Sequence, residues 1–119
     1  MLKALMFAAV LSLGLLRSDP AAAHAVLVDS QPAPKAEVSG AKVAFALHYN
    51  SRDDAKRSRL ALKGPAGLKV LEIRQGKTEA DLAADVTALA PGRYVLHWDV
   101  LSVDGHVSRG QVPFTVTGP

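Results

Sequence analysis

Two stretches of strict period-two alternation, Lys42 to Tyr49 and Arg93 to Val103, constrain what this chain can fold into. In the first, Val43, Phe45, Leu47 and Tyr49 point one way and Ala44, Ala46 and His48 the other. In the second, Tyr94, Leu96, Trp98 and Val100 share a face. Successive side chains of an extended strand project to opposite sides, so each stretch reads as a strand with one buried face. Shorter runs follow suit. Ala25 to Asp29 reads as a strand ended by Gln31-Pro32-Ala33-Pro34, because proline cannot donate to a ladder. Ser58 to Lys63 alternates on Leu60 and Leu62 before Gly64-Pro65, and Leu68 to Ile73 runs to a turn at Gln75-Gly76-Lys77. Gln111 to Val116 closes the chain on Val112, Phe114 and Val116. Ala80 to Leu89 is open: Leu82, Val86 and Leu89 fall at helical spacing, yet a strand with a loop fits equally. The expected fold is all-β, a small Greek-key β-sandwich (immunoglobulin-like or cupredoxin-like) of about seven strands.

The first residues follow a different logic. Met1-Leu2-Lys3 is followed by the unbroken apolar run ALMFAAVLSLGLL at residues 4 to 16, then by Arg17-Ser18-Asp19-Pro20 and Ala21-Ala22-Ala23. A basic start, an apolar stretch of about 7–15 residues and a small-residue A-x-A site define a secretory signal peptide. The run is short of the roughly 20 residues a membrane span needs, and it has no polar face for a fold to use. The expected organisation is a signal peptide at 1–23 and one mature domain at 24–119, opening on His24. No apolar tail at the C-terminal end offers a membrane anchor.

The chain contains no cysteine. That excludes disulfides, a thiolate metal site and a cysteine nucleophile. Its net charge of +3 comes from scattered basic residues, with Lys56-Arg57-Ser58-Arg59 as the one local cluster. A nucleic-acid face needs a denser stripe with interleaved aromatics, so this cluster reads as a solvated loop.

Four histidines could carry chemistry. His48 and His97 sit in strands opposite the large apolar residues and read as surface residues. No carboxylate is obviously paired with His48. His97 has Asp99 two positions on, a weak metal pair at best. His24 differs, because cleavage would give it a free α-amine beside its imidazole. Nδ1 and the amine can close a six-membered chelate ring, and their reference pKa values of about 6.5 and about 7.7–8.0 leave proton competition mild. Nitrogen-rich tetragonal coordination suits Cu(II), which also leads the divalent affinity order. In Ser102-Val103-Asp104-Gly105-His106, Asp104 and His106 are two apart and share a side in extended backbone. The carboxylate and imidazole can converge on one ion, or Asp104 can orient His106 toward it. A hairpin turn with Asp-Gly present for backbone reasons is the competing reading.

His24-Ala25-Val26-Leu27, Ser30-Gln31-Pro32-Ala33, Tyr94-x3-Trp98 and Val100 to His106, with Gly110 and Pro113-Phe114-Thr115-Val116, together resemble the CopC copper-resistance family. Asn50 to Leu60 resembles a variant from one branch of it. The resemblance implies a periplasmic β-sandwich that is not an enzyme and that binds Cu(II) through the amine and imidazole of His24, with Asp104 and His106. It further implies a carrier or buffer role in copper homeostasis, with an inner-membrane copper transport protein of the CopD type as partner. Two departures stand out. Some members bind Cu(I) in a methionine-rich segment, whereas here Met1 and Met6 both lie in the expected leader. Some place a glutamate where this chain has Asn50-Ser51, leaving Asp53 or Asp54 as candidate replacements. A terminal histidine with a second histidine also describes the copper centre of lytic polysaccharide monooxygenases; Asp104 and the small domain count against that redox reading. A plain structural sandwich module is the third.

Overall fold

The structure, a computed structural model, describes residues 25–40 and 42–118; the expected leader and His24 lie outside the described residues. Nine strands are present among the described residues: β1 (Leu27–Gln31), β2 (Ala36–Ser39), β3 (Lys42–Tyr49), β4 (Arg59–Gly64), β5 (Gly67–Leu71), β6 (Arg74–Gln75), β7 (Asp81–Thr87), β8 (Gly92–Leu101) and β9 (Val107–Thr117). They form a four-stranded sheet in the order β1-β3-β7-β6 and a five-stranded sheet in the order β2-β9-β8-β4-β5. Only β2 and β9 pair in parallel; every other pair is antiparallel. Neighbours in each sheet are often far apart in sequence, as Greek-key connections require. No described helix is long and apolar enough to cross a membrane.

The alternation read from the sequence decides which faces meet. Val43, Phe45, Leu47 and Tyr49 of β3 are buried against Tyr94, Leu96, Trp98 and Val100 of β8 and Val112, Phe114 and Val116 of β9. Aromatic pairs join the layers: Phe45 meets Phe114 edge-on at 5.7 Å between ring centroids, and Tyr49 meets Trp98 edge-on at 5.2 Å. Tyr94 stacks on Phe114, and its hydroxyl donates to the Ala90 carbonyl at 2.6 Å, fixing the start of β8.

Residues 81–87 form a strand, not a helix. Leu82, Ala84 and Val86 face the core at period two, and the alanines between the larger side chains had hidden that period. Two short edge strands carry no sequence signal: β2 follows the proline-rich break and β6 has two residues. β8 stops at Leu101, short of Val103, and β9 starts at Val107, before Gln111, because the two pair in continuous register from Gly92↔Val116 to Leu101↔Val107. That leaves Ser102 to His106 as the connection at the tip of the hairpin.

Gly110 lies opposite Trp98 in this ladder, and a Cβ there would press into the indole ring. Overpacking of this kind typically costs about 1–3 kcal/mol. Gly110→Ala is therefore expected to lower unfolding stability by that order, measured as a lower urea midpoint with an unchanged slope.

Candidate metal centre

The connection between β8 and β9 closes on itself. Gly105 N–H donates to the Ser102 carbonyl at 2.8 Å, and Ser102 N–H donates to the His106 carbonyl at 2.9 Å. Gly105 sits at φ +94°, a region that glycine enters without the clash a Cβ would bring. The bend turns Asp104 and His106 toward each other, with Asp104 Oδ1 3.3 Å from His106 Nδ1. The same oxygen accepts from the Ser102 hydroxyl at 2.5 Å. That bond is the main reason the Asp104 carboxyl is held below its ordinary range, with the approach of His106 adding to it. Both side chains are about half exposed, at 54% for Asp104 and 53% for His106. The same Asp-Gly turn that reverses the chain thus also brings the Asp104 carboxylate and the His106 imidazole together.

No group of three or more His, Asp or Glu side chains able to hold a metal ion occurs among the described residues. Asp104 and His106 present an oxygen and a nitrogen of the kinds Cu(II) accepts. His24, the histidine expected to join them, lies outside the described residues. Its chain neighbour Ala25 is buried, and the Ala25 N–H donates to the Ser108 hydroxyl at 2.9 Å, two positions beyond His106. Val26 is held in turn by Asn50, whose side-chain oxygen accepts from Val26 N–H at 2.8 Å and whose own N–H donates to the Val26 carbonyl at 3.0 Å.

The other polar candidates are engaged elsewhere. His48 Nδ1 lies 2.6 Å from Asp81 Oδ1 across the β3–β7 ladder, so the expectation of an unpaired His48 is corrected. That partnership depends on strand register, which the sequence does not reveal. Asp81 also accepts from the Thr78 hydroxyl at 2.6 Å, which is the main cause of its lowered pKa. Asp99 faces Arg109 of β9 at 3.4 Å between Oδ1 and Nε, and no bond to His97 forms. Asp54 caps the short 3-10 turn Ala55–Arg57 by accepting from the Lys56 and Arg57 amides. Asp53 is buried and accepts from the Ser51 hydroxyl at 2.9 Å, and burial pushes its carboxyl pKa up. The Lys56, Arg57 and Arg59 side chains are exposed, as expected of a solvated surface, but Lys56 and Arg57 lie on the 3-10 turn and Arg59 opens β4 instead of belonging to a loop.

Known proteins share this architecture. A family model described as the CopC domain matches residues 27–117. Over 98 residues the chain is 32% identical to Protein YobA of Escherichia coli K12, covering 79% of each chain. The crystal structure of CopC from Methylosinus trichosporium OB3b superposes with a TM-score of 0.71 at 30% identity, covering 80% of this chain and 95% of that one. PcoC from Escherichia coli, described as a methionine-rich copper resistance protein, superposes with a TM-score of 0.62. Its 23% identity, over 79% of this chain and 99% of that one, speaks to the fold.

The depressed Asp104 pKa has a defined origin, so removing the hydroxyl should reverse it. In metal-free Ser102→Ala protein, the Asp104 pKa is expected to rise toward the ordinary value of about 3.9, as read by NMR titration of the carboxyl carbon. The sign follows from linkage. A carboxyl whose folded pKa is depressed contributes stability that is complete above its unfolded pKa and is lost as pH falls through the folded one. The wild-type turn therefore keeps its charge to lower pH than the variant.

Proposed function

The chain belongs to the CopC family, and on that premise we propose that it is an exported Cu(II) carrier or buffer serving copper homeostasis or resistance. Its metal is held by the amine and imidazole of His24 together with Asp104 and His106. The observation that carries this reading is the hydrogen bond from Ala25 N–H to Ser108 Oγ, which sets the chain neighbour of His24 beside the Asp104–His106 hairpin tip. On this reading two half-sites that are weak separately, one near each end of the domain, share one ion.

The donor chemistry favours Cu(II) over Cu(I). Imidazole, amine and carboxylate suit the harder ion, whereas thioethers select Cu(I). Both methionines of this chain stand at positions 1 and 6, ahead of His24, so the domain from His24 onward offers no thioether. In this it differs from PcoC, which is described as methionine-rich. Asp104 takes part through the oxygen beside His106 Nδ1, as a ligand or as the group that orients the imidazole.

Cleavage after Ala23 is an essential part of the proposal. Before it, the nitrogen of His24 is an amide and cannot serve as an amine ligand; afterwards the full set of donors exists. Copper binding is thus confined to the compartment beyond the inner membrane, the periplasm. There the protein exchanges its ion with a membrane copper transport protein of the CopD type.

The test is a Cu(II) titration of processed protein beginning at His24, compared with the same protein carrying one extra alanine before it. The added residue is expected to raise Kd by more than about 100-fold, the upper end of what losing a group outside the coordination sphere costs a metal site. Equal affinities would remove His24 from the site. Cu(II) at a hundredfold excess over Kd is further expected to stabilise the processed protein by about 2.7 kcal/mol against denaturant, and the alanine-extended form by less at the same copper concentration.

A further inference from the structure

We propose that the loop from Asn50 to Ser58 is the positioning element of the copper site, and that Asn50 is the positioning residue that sets the His24 arm against the Asp104–His106 turn. The inference rests on the ligand assignment above and adds the device that holds its two halves in register.

One loop grips both halves. At its start Asn50 holds Val26 twice, through its side-chain oxygen and through its backbone N–H. Farther along, the Arg52 carbonyl accepts from Val103 N–H at 3.0 Å, and Asp54 N–H donates to the Leu101 carbonyl at 2.8 Å. The Ser58 hydroxyl accepts from Leu101 N–H at 3.0 Å. Asp53 forms a backbone bridge with Ser102, the residue whose hydroxyl holds Asp104. The loop is itself anchored, since Asp53 is buried and its N–H donates to the Glu79 carbonyl at 2.9 Å. A fixed strap therefore runs from two residues after His24 to the hairpin that carries Asp104 and His106.

Asn50 is the sensitive link because its grip on the Val26 amide depends on a side chain. Its amide oxygen takes the place of a backbone carbonyl just where β3 ends. Val26 is exposed, so without Asn50 its N–H can turn to water at little cost to folding. What is lost is direction. The arm stays tied by Ala25 N–H on Ser108 Oγ and by the Val26 carbonyl on the backbone N–H of residue 50, but it loses one of three fixing bonds. A metal site requires donor distances within about 0.2 Å of their ideal values, so that loosening is felt at the ion. The consequence falls on copper, not on the fold.

The experiment uses processed protein with Asn50→Ala, Asn50→Ser and Asn50→Asp. Serine is polar and well suited to an exposed position but too short to reach Val26, so it guards against misfolding of the alanine variant. Asn50→Ala and Asn50→Ser are expected to unfold cooperatively near the wild-type midpoint and to exchange the Val26 amide faster without metal. Their Kd for Cu(II) is expected to rise by about 10–100-fold, with an altered Cu(II) EPR spectrum. Asn50→Asp retains the acceptor and is expected to restore the wild-type spectrum and most of the affinity. Wild-type Kd and spectrum in the folded alanine or serine variant would overturn the inference, and so would an aspartate variant as weak as alanine. The ligand assignment fails separately: if one alanine added before His24 leaves binding unchanged, His24 is not a ligand, whatever Asn50 does.

Discussion

The continuous ladder between β8 and β9 is the constraint on which the rest depends. Its register, from Gly92↔Val116 to Leu101↔Val107, puts Tyr94, Leu96, Trp98 and Val100 on the same side as Val112, Phe114 and Val116. A slip of one residue would turn the apolar set of one of the two strands toward water. The same register decides which residues remain at the hairpin tip. Because pairing holds to Leu101 and resumes at Val107, the connection is short and must bend sharply at Gly105, and that bend brings Asp104 to His106. Core packing and donor placement are consequences of a single alignment.

The local electrostatics at the tip suit a cation. Asp104 sits at an exposed turn, and the Ser102 hydroxyl lowers the pKa of its carboxyl. Asp53 lies on the other side of Ser102 and behaves oppositely: burial raises its pKa, and one carboxylate oxygen has no hydrogen-bond partner. Two aspartates connected through Ser102 thus differ in role because one faces water and the other faces Tyr49 and the core. Position in the fold, not residue type, makes one a candidate ligand and the other an anchor.

The large strands were legible in the sequence because burial imposes period two on them, and Val43 to Tyr49 shows that period without exception. β7 was ambiguous because alanine contributes little contrast, and β2 and β6 were invisible because strands of four and two residues are held by their neighbours more than by their own composition. At the candidate site, the closeness of Asp104 and His106 could be seen because they are neighbours in the chain, although a bend at Gly105 and not extended backbone brings them together. The support of this pair could not be seen. The partnerships of Asn50 with Val26, Ser58 with Leu101 and His48 with Asp81 link residues distant in the chain, and nothing in a single sequence records which strands become neighbours.

The strap around the hairpin tip also divides its own residues by how freely they can drift over evolution. Arg52 and Asp54 contribute a carbonyl and an amide, groups that almost any amino acid supplies, so their side chains can change while the strap persists. Asn50 and Ser58 act through side-chain oxygens, and few residues can replace them. A lineage adapting to a new docking partner could therefore rewrite the charges on this loop, at Arg52, Lys56 and Arg57, without disturbing the geometry it holds. This end of the sandwich thus separates side chains that hold its geometry from side chains that only decorate its surface.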